Sequence, residues 1–213
     1  MKNLIFDYDG TLHNSQEIYI PAFRSAIAYL EQKGLIQPRT YLDTEITTWL
    51  GFSAQQMWQS FLPHLPKEEQ AVCSKIIGEK MLQFIKADQA QLYPNTLKVL
   101  SELKRKGYNL IYLSNCKVLY MAAHIQKFQL GAYFSSFHCG EAYGYRPKYE
   151  IFKRIKQLYK GDFIVIGDRL QDMEIAQKHH LMAIGCTYGY GQLDELKAAT
   201  VKIDTLEQIL TIL

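Results

Sequence analysis

The sequence predicts an α/β protein: a doubly wound parallel sheet with a Rossmann-like core, interrupted by an inserted α-helical cap domain. Three observations predict it. Short apolar runs without alternation recur along the chain, as in strands buried on both faces of a parallel sheet. Helical patterns separate those runs, giving the β-α-β-α order of a doubly wound fold. One long segment, from about residue 15 to 89, departs from that order and carries helical patterns without a convincing strand.

The elements follow in order. Leu4-Ile5-Phe6 reads as the first strand. The insert comes next. Ile18, Ala22, Ser25, Ala26, Tyr29 and Leu30 fall on one helical stripe. Ser53-Ala54-Gln55-Gln56 matches a capping box ahead of Met57, Trp58 and Phe61, and 67–85 reads as another long helix. Polar stretches bound the insert, His13-Asn14-Ser15-Gln16 before it and Lys86-Ala87-Asp88-Gln89 after it. The expected division is a core of 1–14 and 90–213 and a cap of 15–89. Beyond the insert, strands are predicted at 110–113, 163–166 and 182–184, and helices at about 95–106, 118–128, 149–158, 170–179 and 206–212. Glycines such as Gly107 and Gly161 punctuate the joins.

Composition narrows the function. The chain has 213 residues, 48% hydrophobic and 21% charged, which suits a globular protein with its own core. With 24 Lys plus Arg against 21 Asp plus Glu, the net charge of +3 makes no electrostatic case for nucleic acid or an anionic membrane. Cys73, Cys116, Cys139 and Cys186 form no CxxC pair, so neither a zinc ribbon nor a redox motif is offered. The N-terminus reaches Asp7 too soon for a signal-peptide apolar region, and no apolar run is long enough to span a membrane. The expectation is a cytoplasmic protein, a monomer or homodimer, with a small-molecule partner.

In a parallel sheet, ligands bind at the carboxyl ends of strands. Asp7-Tyr8-Asp9-Gly10-Thr11 follows the first predicted strand, Ser114-Asn115 the second, and Gly167-Asp168-Arg169-Leu170-Gln171-Asp172 the third. Four carboxylates and two small polar groups therefore land on one sheet edge. Such anions repel one another unless a cation sits among them. Hard oxygen ligands, few in number, suit Mg²⁺. Each cluster alone has a structural alternative, a turn or a helix cap; their joint placement after buried strands points to a site. An EF-hand reading of Asp7-x-Asp9 fails, because its sixth and twelfth positions hold Leu12 and Ile18.

These residues resemble the motifs of the haloacid dehalogenase-like hydrolases: Asp-x-Asp-Gly-Thr, Ser/Thr-Asn, a basic residue before a helix, and Gly-Asp-x-x-x-Asp. The helical insert looks like that family's small cap. Thr187-Tyr188-Gly189-Tyr190-Gly191 followed by Asp194-Glu195-Leu196 is similar to the tail of phosphoglycolate-phosphatase-like members. The resemblance implies a Mg²⁺-dependent phosphatase acting on a small phosphorylated metabolite. Asp7 would be the nucleophile and Asp9 the general acid and base. Mg²⁺ would be held by Asp7, the backbone carbonyl of Asp9 and Asp168, with Asp172 close by. Ser114 would donate to a phosphoryl oxygen and Asn115 would orient the loop. Dehalogenases of the family lack the second Asp, so Asp9 favours phosphate-ester chemistry. A phosphomutase of the β-phosphoglucomutase type, or a non-catalytic binder of phosphorylated ligands, shares the same core residues.

The third motif departs from the family pattern. Where relatives often carry Lys-Pro-x-Pro, this chain has Arg146-Pro147-Lys148. Arg146 takes the usual position of the Lys; Lys148 lies two residues on. Lys148 is preferred, because a compact ammonium on a flexible stem fits a contact shared by nucleophile and phosphate. His13-Asn14 is a second departure, where many relatives have an Asp before the Ser. Trp49-Leu50-Gly51-Phe52-Ser53 resembles the family's substrate-facing cap loop, although Trp49, Phe52, Trp58 and Phe61 are more often helical-bundle core. His179 and His180 read as surface residues at a helix end.

Overall fold

A computed structural model describes residues 2–213. In chain order the regular elements are β1 (Asn3–Phe6), α1 (Gln16–Gln32), α2 (Asp43–Thr47), α3 (Ala54–Phe61), α4 (Lys67–Lys86), α5 (Thr96–Arg105), β2 (Asn109–Ser114), α6 (Val118–Phe128), β3 (Ser136–Cys139), α7 (Lys148–Leu158), β4 (Phe163–Gly167), α8 (Leu170–His179), β5 (Met182–Cys186), β6 (Val201–Ile203) and α9 (Ile209–Ile212). Two compact units divide the chain. One holds the residues up to Asn14 together with Leu92–Leu213; the other is Ser15–Gln91.

The first unit is α/β. Among the described residues, six parallel strands form one sheet in the order β3-β2-β1-β4-β5-β6. Every residue of β1, β2 and β4 is buried, which is why their sequences are apolar on both faces. Register sets Ile5 beside Ile111 and Val165, and Phe6 beside Tyr112 and Ile166. Alternate residues therefore serve opposite faces. Ile5, Ile111 and Val165 join Ile151, Phe152 and Ile155 of α7 and Met173 and Ala176 of α8 in one core. Phe6 and Tyr112 meet Phe134, with ring centroids at 6.2 and 6.0 Å. The strand order reverses between β1 and β4, so their carboxyl ends open a crevice at a topological switch point.

The second unit is helical. Ser53 caps α3 reciprocally: its Oγ accepts from the Gln56 N–H at 3.3 Å, and Gln56 Oε1 accepts from the Ser53 N–H at 3.0 Å. Trp58 is buried and its Nε1 donates to Ser74 Oγ of α4 at 2.7 Å. Tyr29 of α1 donates to Glu69 of α4 at 2.9 Å. Trp49, half-buried, and Phe61 border a cavity of about 220 Å³ together with Arg39 and Tyr41. Trp49, Trp58 and Phe61 thus pack as part of the helical unit, with Phe61 5.8 Å from Trp49 and 6.1 Å from Trp58.

The structure departs from the sequence expectations in several places. β3 and β6 have no predicted counterpart. Both lie at or toward a sheet edge, β3 as Ser-Phe-His-Cys and β6 as Val-Lys-Ile, too short and too polar for an apolar run. The short α2 was likewise unsignalled. The C-terminal helix expected at 206–212 begins as a 3₁₀ turn, Leu206–Gln208, before α9. His180 is exposed in the left-handed conformation that ends α8, but His179 is not a surface residue. Its Nε2 donates to the Tyr149 carbonyl at 2.8 Å, and its ring lies 4.7 Å from Phe152. No helix among the described residues is long and apolar enough to cross a membrane.

Candidate active site

The loop after β1 carries Asp7, and the loop after β4 carries Asp168 and, in the first turn of α8, Asp172. All three are buried, at 3%, 0% and 1% exposure. Each offers one carboxylate oxygen, and these oxygens lie within 4.8 Å of one another. Lys148, the first residue of α7, is the cation in their midst. Its Nζ donates to Asp7 Oδ1 at 2.6 Å and to Asp172 Oδ1 at 2.7 Å. Pro147 precedes it as the N-cap, with φ −52° and ψ 141°, and Lys148, the first helical residue, is buried.

Burial is the main electrostatic fact of this group. It pushes the Asp7 carboxyl well up, and repulsion from Asp172 adds to that, against the pull of Lys148. Burial and Asp172 push Asp168 up to about 7, although the Tyr190 N–H and nearby cations act the other way. Burial alone would lower the Lys148 ammonium; Asp172 and Asp7 outweigh it and hold it above its ordinary value. Against three carboxylates stands one ammonium, paired directly with two of them, and the nearby Arg169 is already paired with Glu195, so an unbalanced negative charge is left in a dry place.

A divalent cation fits that imbalance. Asp7 Oδ2 is buried and makes no hydrogen bond, which is costly for a carboxylate oxygen unless something else takes it. The donor set is all hard oxygen, as Mg²⁺ prefers. Asp7, Asp168 and Asp172 are the residues that would hold it.

A second layer builds the walls of the group. Thr11 Oγ1 donates to Asp168 Oδ1 at 3.2 Å and the Tyr190 N–H to Oδ2 at 2.7 Å. Tyr188 Oη donates to the Thr11 carbonyl at 2.8 Å, and Tyr190 Oη to Asn14 Oδ1 at 3.1 Å. The Tyr188–Gly191 segment therefore clasps the β1 loop against Asp168. Three glycines allow this approach, and a Cβ on one of them, Gly189, would overlap the Asp168 side chain. Gly10 has φ +88°, and a Cβ there would overlap the Asp168 carboxylate; a Cβ on Gly191 would overlap the Asp168 carbonyl.

The remaining residues named from the sequence fall as follows. Ser114 ends β2 and is buried, its Oγ 3.5 Å from Asp9 Oδ2. Asn115 follows it, half-buried, against Gly140. Asp9 stands outside the three-carboxylate group; its side chain, 13% exposed, faces Ser114, Tyr120 and His13. Arg146 is exposed and is not brought into the group. Burial and then Asp9 push the Cys116 thiol up, which disfavours a thiolate nucleophile there. Tyr120, His13 and the Tyr188–Gly191 clasp were missed as site residues. A tyrosine or histidine on a helix or loop gives no local signal of what it will touch.

Comparison with known proteins finds relatives across nearly the whole chain. A sequence profile described as haloacid dehalogenase-like hydrolase matches residues 4–186. A phosphoglycolate phosphatase of Pasteurella multocida is 27% identical, over 98% of this chain and 96% of its own length. A glyceraldehyde 3-phosphate phosphatase of Methanocaldococcus jannaschii is 23% identical, over 100% of this chain and 96% of its own. Among solved structures, one described as a predicted phosphoglycolate phosphatase from Haemophilus somnus shares the fold, with a TM-score of 0.84 at 21% identity, covering 100% of this chain and 97% of that one.

Proposed function

The chain belongs to the haloacid dehalogenase-like hydrolases and is a phosphoric monoester hydrolase; we propose that it releases phosphate from a small phosphorylated metabolite through a phosphoryl group carried on Asp7, with Mg²⁺ as cofactor. Several relatives are described as phosphoglycolate phosphatases, which makes phosphoglycolate a first substrate to try. The observation that carries the reading is the buried contact of one ammonium with two carboxylates, Lys148 between Asp7 and Asp172, beside Asp168.

In this mechanism an Asp7 carboxylate oxygen attacks phosphorus, and the bond from phosphorus to the ester oxygen breaks. Asp9 gives its proton to the departing oxygen. Water then attacks the same phosphorus, Asp9 takes a proton from it, and the bond to Asp7 breaks to release phosphate. Lys148 offsets charge on the transferring phosphoryl group while holding Asp7 in place, and Ser114 donates to a phosphoryl oxygen. Bound Mg²⁺ would lower the repulsion between an anionic nucleophile and an anionic ester. The four cysteines are free thiols, which suits a reducing compartment, and we take the enzyme to be cytoplasmic.

The test is phosphate release from a panel of phosphorylated metabolites and from 4-nitrophenyl phosphate. Activity should need Mg²⁺, disappear with a chelator and fall at least ~10³-fold in Asp7→Asn. Turnover that survives in Asp7→Asn, with Mg²⁺ present, would remove Asp7 from the role of nucleophile.

A further inference from the structure

Asp9 is gripped from one side by groups to which the mechanism assigns no part. Tyr120 of α6 donates its hydroxyl to Asp9 Oδ1 at 2.7 Å. His13 Nδ1 lies 3.3 Å from that hydroxyl and 3.4 Å from the same Asp9 oxygen. Tyr120 is 8% exposed, and His13, His124 and Tyr8 are fully buried. Burial and the neighbouring Asp9 raise the Tyr120 phenol well above its ordinary range, so it keeps its proton and donates.

The rings that hold this pair are themselves fixed. His124 packs 4.3 Å from Tyr120 and 4.4 Å from His13, both edge-on. Tyr8 stacks on His13 at 5.2 Å with the planes 3° apart, and its hydroxyl lies 2.7 Å from His124 Nδ1. Burial lowers His124 to about 2, so its imidazole is neutral, and it shares a hydrogen bond with the Tyr8 hydroxyl. The Tyr120 ring thus packs against His124 and His13 while its hydroxyl is engaged by Asp9.

The consequence concerns a single proton. An oxygen that already accepts from a phenol is a poor place for a carboxylic acid's own hydrogen. The other oxygen, Oδ2, accepts a longer and weaker contact from Ser114 Oγ, at 3.5 Å against 2.7 Å for the phenol on Oδ1. We propose that Tyr120, backed by His13, is a positioning residue for Asp9, occupying Oδ1 so that the transferable proton rides on Oδ2. This rests on the reading of Asp9 as the proton donor to the leaving oxygen.

The experiment is kcat/KM of Tyr120→Phe across 4-nitrophenyl, phenyl and 4-methoxyphenyl phosphate with Mg²⁺. A nitrophenolate leaves with little help, whereas the other two need a proton. The variant should lose about tenfold on phenyl and methoxyphenyl phosphate and less than about threefold on nitrophenyl phosphate, part of the ~10²–10⁴ that general acid catalysis supplies. Asp9→Asn should show the same dependence more strongly. If Asp9→Asn loses activity evenly across the series, both readings fail. If it discriminates and Tyr120→Phe does not, the positioning role alone is overturned. Ile175→Val, at a buried core position of α8, controls for loss of stability and should keep the wild-type profile; a profile like that of Tyr120→Phe would also overturn the proposal. Should Tyr120→Phe not fold, His13→Gln takes its place. It should give a smaller change in the same direction, and an even profile there would count as refutation.

Discussion

Lys148 shows how much rests on one side chain. It is the cation that stands among three buried carboxylates, and it touches two of them. Lys148→Ala should lower kcat/KM by at least ~10²-fold, since a charge aimed at the phosphoryl group is lost. Without a divalent ion it should also destabilise the fold by about 3–5 kcal/mol, the usual result of leaving buried charges unpaired. Arg146→Ala, at an exposed position, should change activity less than about threefold; kinetics of the two variants side by side decide between them. The sequence contained both basic residues and a reason to prefer the lysine. It held no rule for which one the chain would turn inward, because that depends on where α7 begins. Tyr120 is the harder case. Nothing near it in sequence marks it, and its link to Asp9 spans 111 positions.

At the scale of elements, local chemistry and tertiary context divide the work. The Ser53 cap is local: four residues supply both hydrogen bonds of the box, and the spacing made it readable. Ser53→Ala should cost about 1 kcal/mol, measured by denaturant unfolding, while Asp7-centred chemistry stays intact in direct assays of the folded protein. The clasp formed by Tyr188–Gly191 is not local. Gly191→Ala would force a methyl group into the Asp168 backbone. Phosphate release should fall at least ~10-fold with little change in nucleophile or acid, because small displacements of positioning groups are expensive. Unchanged turnover in this variant would mean that the clasp does not hold Asp168 in place. β1, β2 and β4 were legible as apolar runs since both their faces are covered. β3 and β6 were not, because strands toward an edge need less apolar sequence.

At the scale of the whole molecule, proton binding is linked to stability, and a bound metal would join that linkage. Asp168 is pushed up to about 7 from an ordinary 3.8 by burial and Asp172. A raised carboxyl means that the native chain binds more protons than the unfolded chain across that window. Its contribution to stability is therefore complete below about 3.8 and is lost as pH rises through about 7. A divalent cation replaces the protons, so its effect should have the opposite slope. Thermal unfolding should show a larger Mg²⁺-induced rise in Tm near pH ~8 than near pH ~5, approaching about 2.7 kcal/mol at a hundredfold excess over Kd. An equal rise at both would contradict a shared carboxylate site.

By itself, the sequence determined the α/β class, the helical insert and the chemical types at the strand ends, because periodicity, capping and turn residues are properties of neighbours along the chain. Only the tertiary structure decided which basic residue reaches the carboxylates, which glycines let the Tyr188–Gly191 segment close on Asp168, and that a tyrosine from α6 holds Asp9. Those are matters of distance between parts remote in sequence, and parallel strand order with burial sets such distances.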